Sequence, residues 1–494
     1  MPKFDPIIEK ISDYVQNYQA NESSLIEAKI CFFDSIACAL MALDHDQAKK
    51  FTQLEYIKNS SGSVRVIGTN IKTNAVDATF LNGALIRWLD FNDTWLAKEW
   101  GHPSDNISIV LSLTDYLKMH KDIELSFKEI LNFMVLAHEI QGALAIENSL
   151  NREGLDHVAL VKVASAAVGA KMMGFNGEQI KATISNAFLD GQSLRTYRHF
   201  PNTGARKSWA AGDASAKALK QIFISEVSDE SYPTALTSKV WGFNDVLMGK
   251  NPMRLERNLE SYVMDNILYK VSFPAEFHAQ TAAEAAISIS KHLKGKLEEI
   301  EEILISTQEP GVRIISKKGP LTNYADRDHC IEYIVAWCLI NGNLDSNSYS
   351  NEAASDKKID ALRNITRTIE DKKYTEEELL FVQNGRSVFK EVMPMVASLI
   401  SDHLEENNLL PDQVEQYWLH QANINMNTYV VKKLLGDDFP AERAPNVLDE
   451  YANTGSAGSL ISFHKYNHLT AGQKGIICSF GAGYSICSIL VEKA

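Results

Sequence analysis

Cysteine is scarce: six thiols serve 494 residues, and none of Cys31, Cys38, Cys330, Cys338, Cys478 and Cys487 forms a CxxC pair. That usage excludes a disulfide-stapled scaffold and argues against a cysteine-ligated iron–sulfur cluster or a structural zinc. Long apolar runs are also missing. No uninterrupted apolar stretch reaches the roughly 18 residues a membrane-spanning helix needs, so no span is expected. The start, Met1-Pro2-Lys3-Phe4-Asp5, lacks a basic segment followed by an apolar one, so no secretory leader is expected. Gly (26) and Pro (13) are too few, and without period, for a fibrous chain. Positive charge is in deficit: 49 Lys and Arg stand against 63 Asp and Glu, a net charge of −14. Such a chain repels polyanions on average, so neither nucleic acid nor a membrane is an expected partner. The default expectation is a cytoplasmic enzyme.

What is present is ordinary globular material, with 45% hydrophobic and 23% charged residues. At roughly 150 residues per domain the length suggests about three domains. The first 270 residues read as mostly helical. Apolar residues recur at helical spacing in Ser24 to Leu43, Phe127 to Ile146, Ala159 to Met173, Gly177 to Leu189 and Ala210 to Phe223. After Phe273-Pro274 a helix (Thr281 to Leu293) leads to two expected strands, Ile300 to Ser306 and Val312 to Ser316, and then to a helix from Ile331 to Ile340. The charge run Glu370 to Glu378 reads as a solvated helix start or linker, and the style changes there. Beyond it come a helix (Ser387 to Leu404), a strand (Gln416 to Leu419), a helix (Met426 to Leu435), a short helix (Ser456 to Phe463), a strand (Gly475 to Phe480), the turn Gly481-Ala482-Gly483 and a strand (Tyr484 to Val491). That order is an alternating α/β pattern.

Two runs are dense in chemical groups. Asp90-Phe91-Asn92-Asp93-Thr94-Trp95 and Glu99-Trp100-Gly101-His102-Pro103-Ser104-Asp105-Asn106 combine carboxylates, a hydroxyl and an imidazole in Gly/Pro-interrupted chain. Loops on a rigid scaffold are where catalytic groups gather, and a His beside a carboxylate suits proton transfer. The same residue types also serve as loop and helix caps. The second run, Arg195 to Trp209, carries several cations and His199 ahead of an expected helix start at Ala210-Ala211-Gly212-Asp213. Arg forks beside a helix N-terminus suit carboxylates or phosphates, and a solvated basic patch is the alternative. His138, His157, His278 and His329 are scattered, and isolated histidines are commonly structural.

The strings RWLDFNDTWLAKEWGHPSDN, LRTYRHFPNTGARKSWAAGDAS, SFPAEFHAQTAAEAA and KKGPLTNYADRDHCIEYIVA closely resemble the MmgE/PrpD (2-methylcitrate dehydratase) family, over about residues 1–375. The resemblance implies a mainly α fold, with a large all-helical domain (1–272) and a smaller α+β domain (273–375). It also implies cofactor-independent dehydration of 2-methylcitrate to 2-methyl-cis-aconitate in propionate breakdown, with citrate or cis-aconitate as side substrates, no metal, and a homodimer as the assembly. Matching motif by motif, the resemblance assigns catalysis to Asp90, Thr94, His102, His157 and Lys207, with His278 and Tyr324 as weaker matches. Dehydrating a tricarboxylate needs a base, an acid and cations for the carboxylates. Arg198, Arg206 and Lys207 are therefore the expected carboxylate binders, and His102, oriented by Asp90, shares acid/base work with His157.

The strings NGRSVFKEVMPMVASLI, WLHQANINMN, LDEYANTGSAGSLISFHKY and GIICSFGAGYSICSILVEKA resemble the C-terminal half of 3-oxoacyl-ACP synthase III, a thiolase-like fold, over about residues 379–494. His420 and Asn453 match that family's His and Asn. Its nucleophilic Cys belongs to the N-terminal half of that fold, which has no counterpart here, and Cys38 lies inside the dehydratase-like region. Covalent condensation needs that thiolate. The first family's usual chain also continues beyond the position of Glu370–Thr375, so a truncated α+β domain with unpaired strand edges is expected. The readings are therefore a dehydratase joined to half a condensing domain, an acyltransferase fragment of fatty-acid synthesis using another chain's Cys, or an inactive fusion.

Overall fold

The computed structural model describes residues 3–371 and 385–494, apart from 229, 250, 294 and 482–484. Its residues divide at Asp371 into two compact units. The first is mainly helical and is built around one continuous apolar core. Several of its helices start at side-chain caps. Asn21 accepts from the Ser24 amide and Asn74 from the Asp77 amide, while Ser126 with Glu129 and Asn176 with Gln179 form capping boxes. The helix Phe127–Glu147 is long and apolar enough to cross a membrane, but 72% of its most apolar window is buried inside the protein.

Small residues set the closest helix crossing. A Cβ on Gly83 would lie 2.6 Å from Gly212 Cα, and one on Gly212 would lie 2.4 Å from the Phe80 carbonyl oxygen. The helices Ala75–Arg87 and Arg206–Ser225 therefore touch backbone to backbone, which only Gly permits. This contact brings the C-terminal Arg87 of one helix and the N-terminal Lys207 of the other to the same region. The second helix starts at Arg206 rather than at Ala210, so the end of the basic run forms its first turn.

The α+β portion is small. Strand Ile303–Thr307 pairs in parallel with Thr366–Glu370, in register from Ile303 opposite Thr366 to Thr307 opposite Glu370. The expected strand Val312 to Ser316 is instead part of a helix, Glu309–Ile315. Pro310 sits in its first turn and Arg313 Nε donates to Glu309 Oε1 at 2.6 Å, one helical turn away. The β-branched residues suggested a strand, and the local start signal and ion pair outweigh that preference. Beside the strand pair, an apolar groove of about 480 Å³ is lined by Ala282, Ala286, Ile289, Leu304 and Leu339.

The second unit holds a mixed three-stranded sheet. Gln416–Leu419 runs parallel to Lys474–Gly481, which is antiparallel to Ser485–Glu492. Helices Gly385–Glu406 and Ile424–Leu435 contribute Val396, Ile400 and Val430 to its core. The sequence-expected helices and strands of this part appear within a few residues of their expected bounds. The charged residues 372–378 and the centre of the Gly481-Ala482-Gly483 turn lie outside the described residues.

Candidate active site

The first dense run is shaped by three backbone devices. Asp90 adopts the left-handed region (φ 59°), an uncommon conformation for a non-glycine residue. Thr94 forms an isolated antiparallel bridge with Leu268, its amide donating to the Leu268 carbonyl at 2.7 Å. That bridge carries Lys270 back onto Asp90, whose main-chain oxygen accepts from Lys270 Nζ. Trp95 bridges Gly101 in the same way, and a Cβ on Gly101 would lie 2.9 Å from His157 Cδ2. Glycine there lets the His157 ring lie against the loop.

These devices enclose a cavity of about 20 Å³. Asp90, Thr94, His102, His157 and Arg198, all expected from sequence, line it. Arg195 of the basic run and the scattered His329 line it as well, together with Arg87, Lys270 and Glu276, for which the sequence suggested no role. Trp100, Phe277 and Ile314 supply its apolar wall.

Asp90 is the electrostatic centre. Arg87 donates through Nη1 to Asp90 Oδ1, Lys270 Nζ lies 3.4 Å from the same oxygen, and Lys207 Nζ lies 3.9 Å from Oδ2. Burial alone would raise the carboxyl, but Arg87, Lys270 and Lys207 outweigh it and hold the group well below its ordinary range. Arg87 also donates through Nη2 to His102 Nε2 at 2.8 Å, while His102 Nδ1 lies 2.5 Å from the Asp93 carbonyl oxygen. A guanidinium cannot accept a hydrogen bond, so Nε2 carries the lone pair and Nδ1 the proton. The Asp93 carbonyl, not the Asp90 carboxylate, thus orients His102. Burial and the Arg87 charge push this imidazole well below its ordinary value.

His157 lies between two carboxylates of different character. Its Nδ1 is 3.2 Å from Asp156 Oδ1 and its Nε2 is 3.7 Å from Asp105 Oδ2. Asp156 is buried, yet Arg198, which donates to it through Nε and through Nη2 at 3.2 Å, drives its carboxyl far down. Asp105 is buried without a hydrogen-bond partner on either oxygen, and burial raises it. Burial lowers the His157 imidazole, so it is held neutral, with the proton favoured on Nδ1 beside the Asp156 anion. Its Nε2 is buried and has no hydrogen-bond partner among the described residues. Thr94 Oγ1 and Arg87 Nε are in the same condition. Buried polar atoms without partners are rare in native proteins, and here they converge on one small cavity.

The remaining expected residues sit around this shell. Lys207 is buried behind Asp90, and its Nζ donates to Asp328 Oδ2 at 2.7 Å and to His329 Nδ1 at 3.1 Å. Burial lowers this ammonium against the pull of Asp328. His278 does not line the cavity. Its Nδ1 meets Glu276 Oε1 at 2.8 Å and its ring packs on Trp100 at 4.9 Å. Tyr324 is buried among His45 and Tyr349, and burial pushes its hydroxyl well up. Arg206 is partly exposed, stacked over Tyr197 and Trp209, away from the cavity lining.

Among the described residues two groups have metal-donor geometry: Asp90, Asp328 and His329, and separately Cys31, Asp93 and His138. In the first, the Lys207 ammonium already bonds two of the three donors. In the second, all three residues are fully buried and burial pushes the Cys31 thiol well up, away from the thiolate a metal needs.

In the second unit, His420 follows the strand Gln416–Leu419 and its Nδ1 meets Ser479 Oγ at 3.0 Å. Asn453 Oδ1 accepts from the Gly455 amide at 2.9 Å, which closes a turn. Cys478 is buried in the sheet, with its thiol pushed up to about 12 by burial.

A family model for the MmgE/PrpD N-terminal domain matches residues 9–256, and one for the MmgE/PrpD C-terminal domain matches residues 273–395. A model for the 3-oxoacyl-[acyl-carrier-protein] synthase III C terminal matches residues 404–493. Among curated proteins, a 2-methylcitrate dehydratase of Escherichia coli K12 is 49% identical over 385 residues, 76% of this chain and 79% of its own length. A mitochondrial 2-methylcitrate dehydratase of Yarrowia lipolytica is 48% identical over 389 residues, 76% of this chain and 74% of its own. A probable 2-methylcitrate dehydratase of Saccharomyces cerevisiae is 46% identical over 391 residues, 76% of each.

Proposed function

The chain belongs to the MmgE/PrpD family, and from that premise we infer that it is a hydro-lyase dehydrating 2-methylcitrate to 2-methyl-cis-aconitate. The observation that carries this reading is the cavity lining, where a neutral imidazole with an open nitrogen faces clustered cations. His157 Nε2 takes the proton from the carbon beside a carboxylate, and Asp156, kept ionised by Arg198, stabilises the imidazolium that forms. Arg87 and Lys270 add positive charge to the wall of the same cavity. The C–H electron pair becomes the new double bond as the C–O bond breaks. The departing hydroxide takes a proton from the Lys270 ammonium and leaves as water. Proton exchange with solvent then resets His157 and Lys270. Thr94 Oγ1, free of protein partners, is the hydroxyl available to the substrate.

This reading keeps the domain division 1–272, 273–375 and 379–494, a homodimer and a cytoplasmic location. Mixing purified protein with 2-methylcitrate and following the ultraviolet absorbance of the conjugated product tests it. No product at any enzyme concentration rejects it. The alternative, an acyl-transfer role for the second unit, draws its thiolate from another chain; of the unit's own two thiols, Cys478 is buried and pushed up to about 12 and Cys487 is exposed.

A further inference from the structure

We propose that Arg195 is the residue whose fork grips the substrate carboxylate next to the abstracted proton, in place of Arg198, Arg206 and Lys207, the carboxylate binders expected from sequence. The inference rests on the hydro-lyase reading and deepens it.

Four cations line the cavity, and three are already committed. Arg87 bonds Asp90 and His102, and only its Nε is idle. Arg198 bonds Asp156 through two nitrogens. Lys270 bonds the Asp90 main chain. Arg195 differs. It is 5% exposed, yet its Nε and Nη1 have no acceptor among the described residues. The nearest carboxylate oxygens to Nη1 are Asp156 Oδ2 at 3.5 Å and Glu99 Oε1 at 3.6 Å, both too long for hydrogen bonds. A buried guanidinium with idle donors is costly unless a ligand completes it. Its planar fork matches a carboxylate edge, which a point charge does not.

Position adds a second argument. The Arg195 amide donates to the Gly154 carbonyl at 2.9 Å, and Leu155 bridges Leu194. The backbone that holds Arg195 is therefore paired with the segment that carries His157. A carboxylate in this fork lies beside the base. The carbon acid it flanks is the one whose charge must be stabilised as the proton leaves.

Binding of propane-1,2,3-tricarboxylate, which has no hydroxyl to lose, is measured by calorimetry on the full chain. Arg195→Gln is expected to weaken it by about 10- to 100-fold, the range for losing a charged hydrogen-bonding group. Arg195→Lys is expected to recover part of that loss and not all. Wild-type affinity in Arg195→Gln, or no binding by the wild-type protein, overturns the proposal. Should Arg195→Gln not fold, Arg195→Lys carries the test, and wild-type affinity there overturns it equally. A wild-type protein that binds the tricarboxylate through Arg195 but does not dehydrate 2-methylcitrate rejects the hydro-lyase reading and leaves this one standing.

Discussion

Lys270 donates a hydrogen bond to the main-chain carbonyl oxygen of Asp90, a residue 180 positions earlier in the chain. The ammonium thereby sits on the wall of a cavity whose other groups come from the first 200 residues and from the region around Glu276 and His329. Lys270→Met removes the charge and keeps the length of the side chain. Turnover of 2-methylcitrate is expected to fall by about 100- to 10,000-fold, the usual loss for a proton-transfer group. Steady-state kinetics measures it, and a fall of less than a few-fold removes Lys270 from the acid role.

His157→Gln is expected to abolish base catalysis while leaving tricarboxylate binding largely intact. The affected quantity is kcat, by about 100- to 10,000-fold. Equal losses in kcat and in calorimetric affinity for propane-1,2,3-tricarboxylate count against His157 as the base.

The chemical cluster was legible where its members are neighbours in sequence. Asp90, Thr94 and His102 fall within one loop, and Arg198 within one basic run. Lys270 and Arg195 were not legible as site residues. Lys270 stands in an unremarkable stretch, and only the Thr94–Leu268 bridge places it. Arg195 looked equivalent to Arg198 and Arg206. What separates them is that Arg198 hydrogen-bonds Asp156, Arg206 is partly exposed, and Arg195 is buried with idle donors, and that is decided by tertiary packing. The helices were readable from caps and period. The Glu309–Ile315 helix was not, because β-branched residues there outweighed a short start signal.

Stability carries a sign that follows from burial. The His329 imidazole is pushed down to about 4 by burial and by Lys207. Its unfolded value is about 6.5. Between these two pH values the unfolded chain binds a proton that the folded chain refuses, so stability present above pH about 6.5 is lost as pH falls toward 4. Burial of His102 and His157 acts in the same direction. Thermal midpoints at pH 7.5 and pH 5.0, taken as about one unit above and one and a half below the unfolded His value, are expected to drop on acidification. The drop is expected to be smaller in His329→Gln. An equal drop in that variant assigns the acid sensitivity elsewhere.

Gly212→Ala places a Cβ 2.4 Å from the Phe80 carbonyl oxygen and 2.9 Å from the Ala84 amide nitrogen. Neither backbone atom can yield, so the two helices must separate. A destabilisation of about 1–3 kcal/mol is expected, together with reduced turnover, because Arg87 and Lys207 ride on those helices. Denaturant midpoints and kinetics read both effects, and unchanged values in both dispose of the close-crossing argument.

Metal chelation is expected to leave turnover unchanged, because Lys207, Lys270 and Arg87 already supply the positive charge around Asp90. Activity measured before and after EDTA dialysis, with and without added divalent cations, checks this.

The cavity of about 20 Å³ has room for roughly one water molecule and not for a tricarboxylate. The empty enzyme is therefore shut. Every catalytic cycle begins and ends with a parting of the walls, and Trp100, which also borders the neighbouring pocket of Arg152, Arg254 and Arg313, stands at the partition. Admission of substrate through that wall is therefore a step of each turnover, separate from proton transfer.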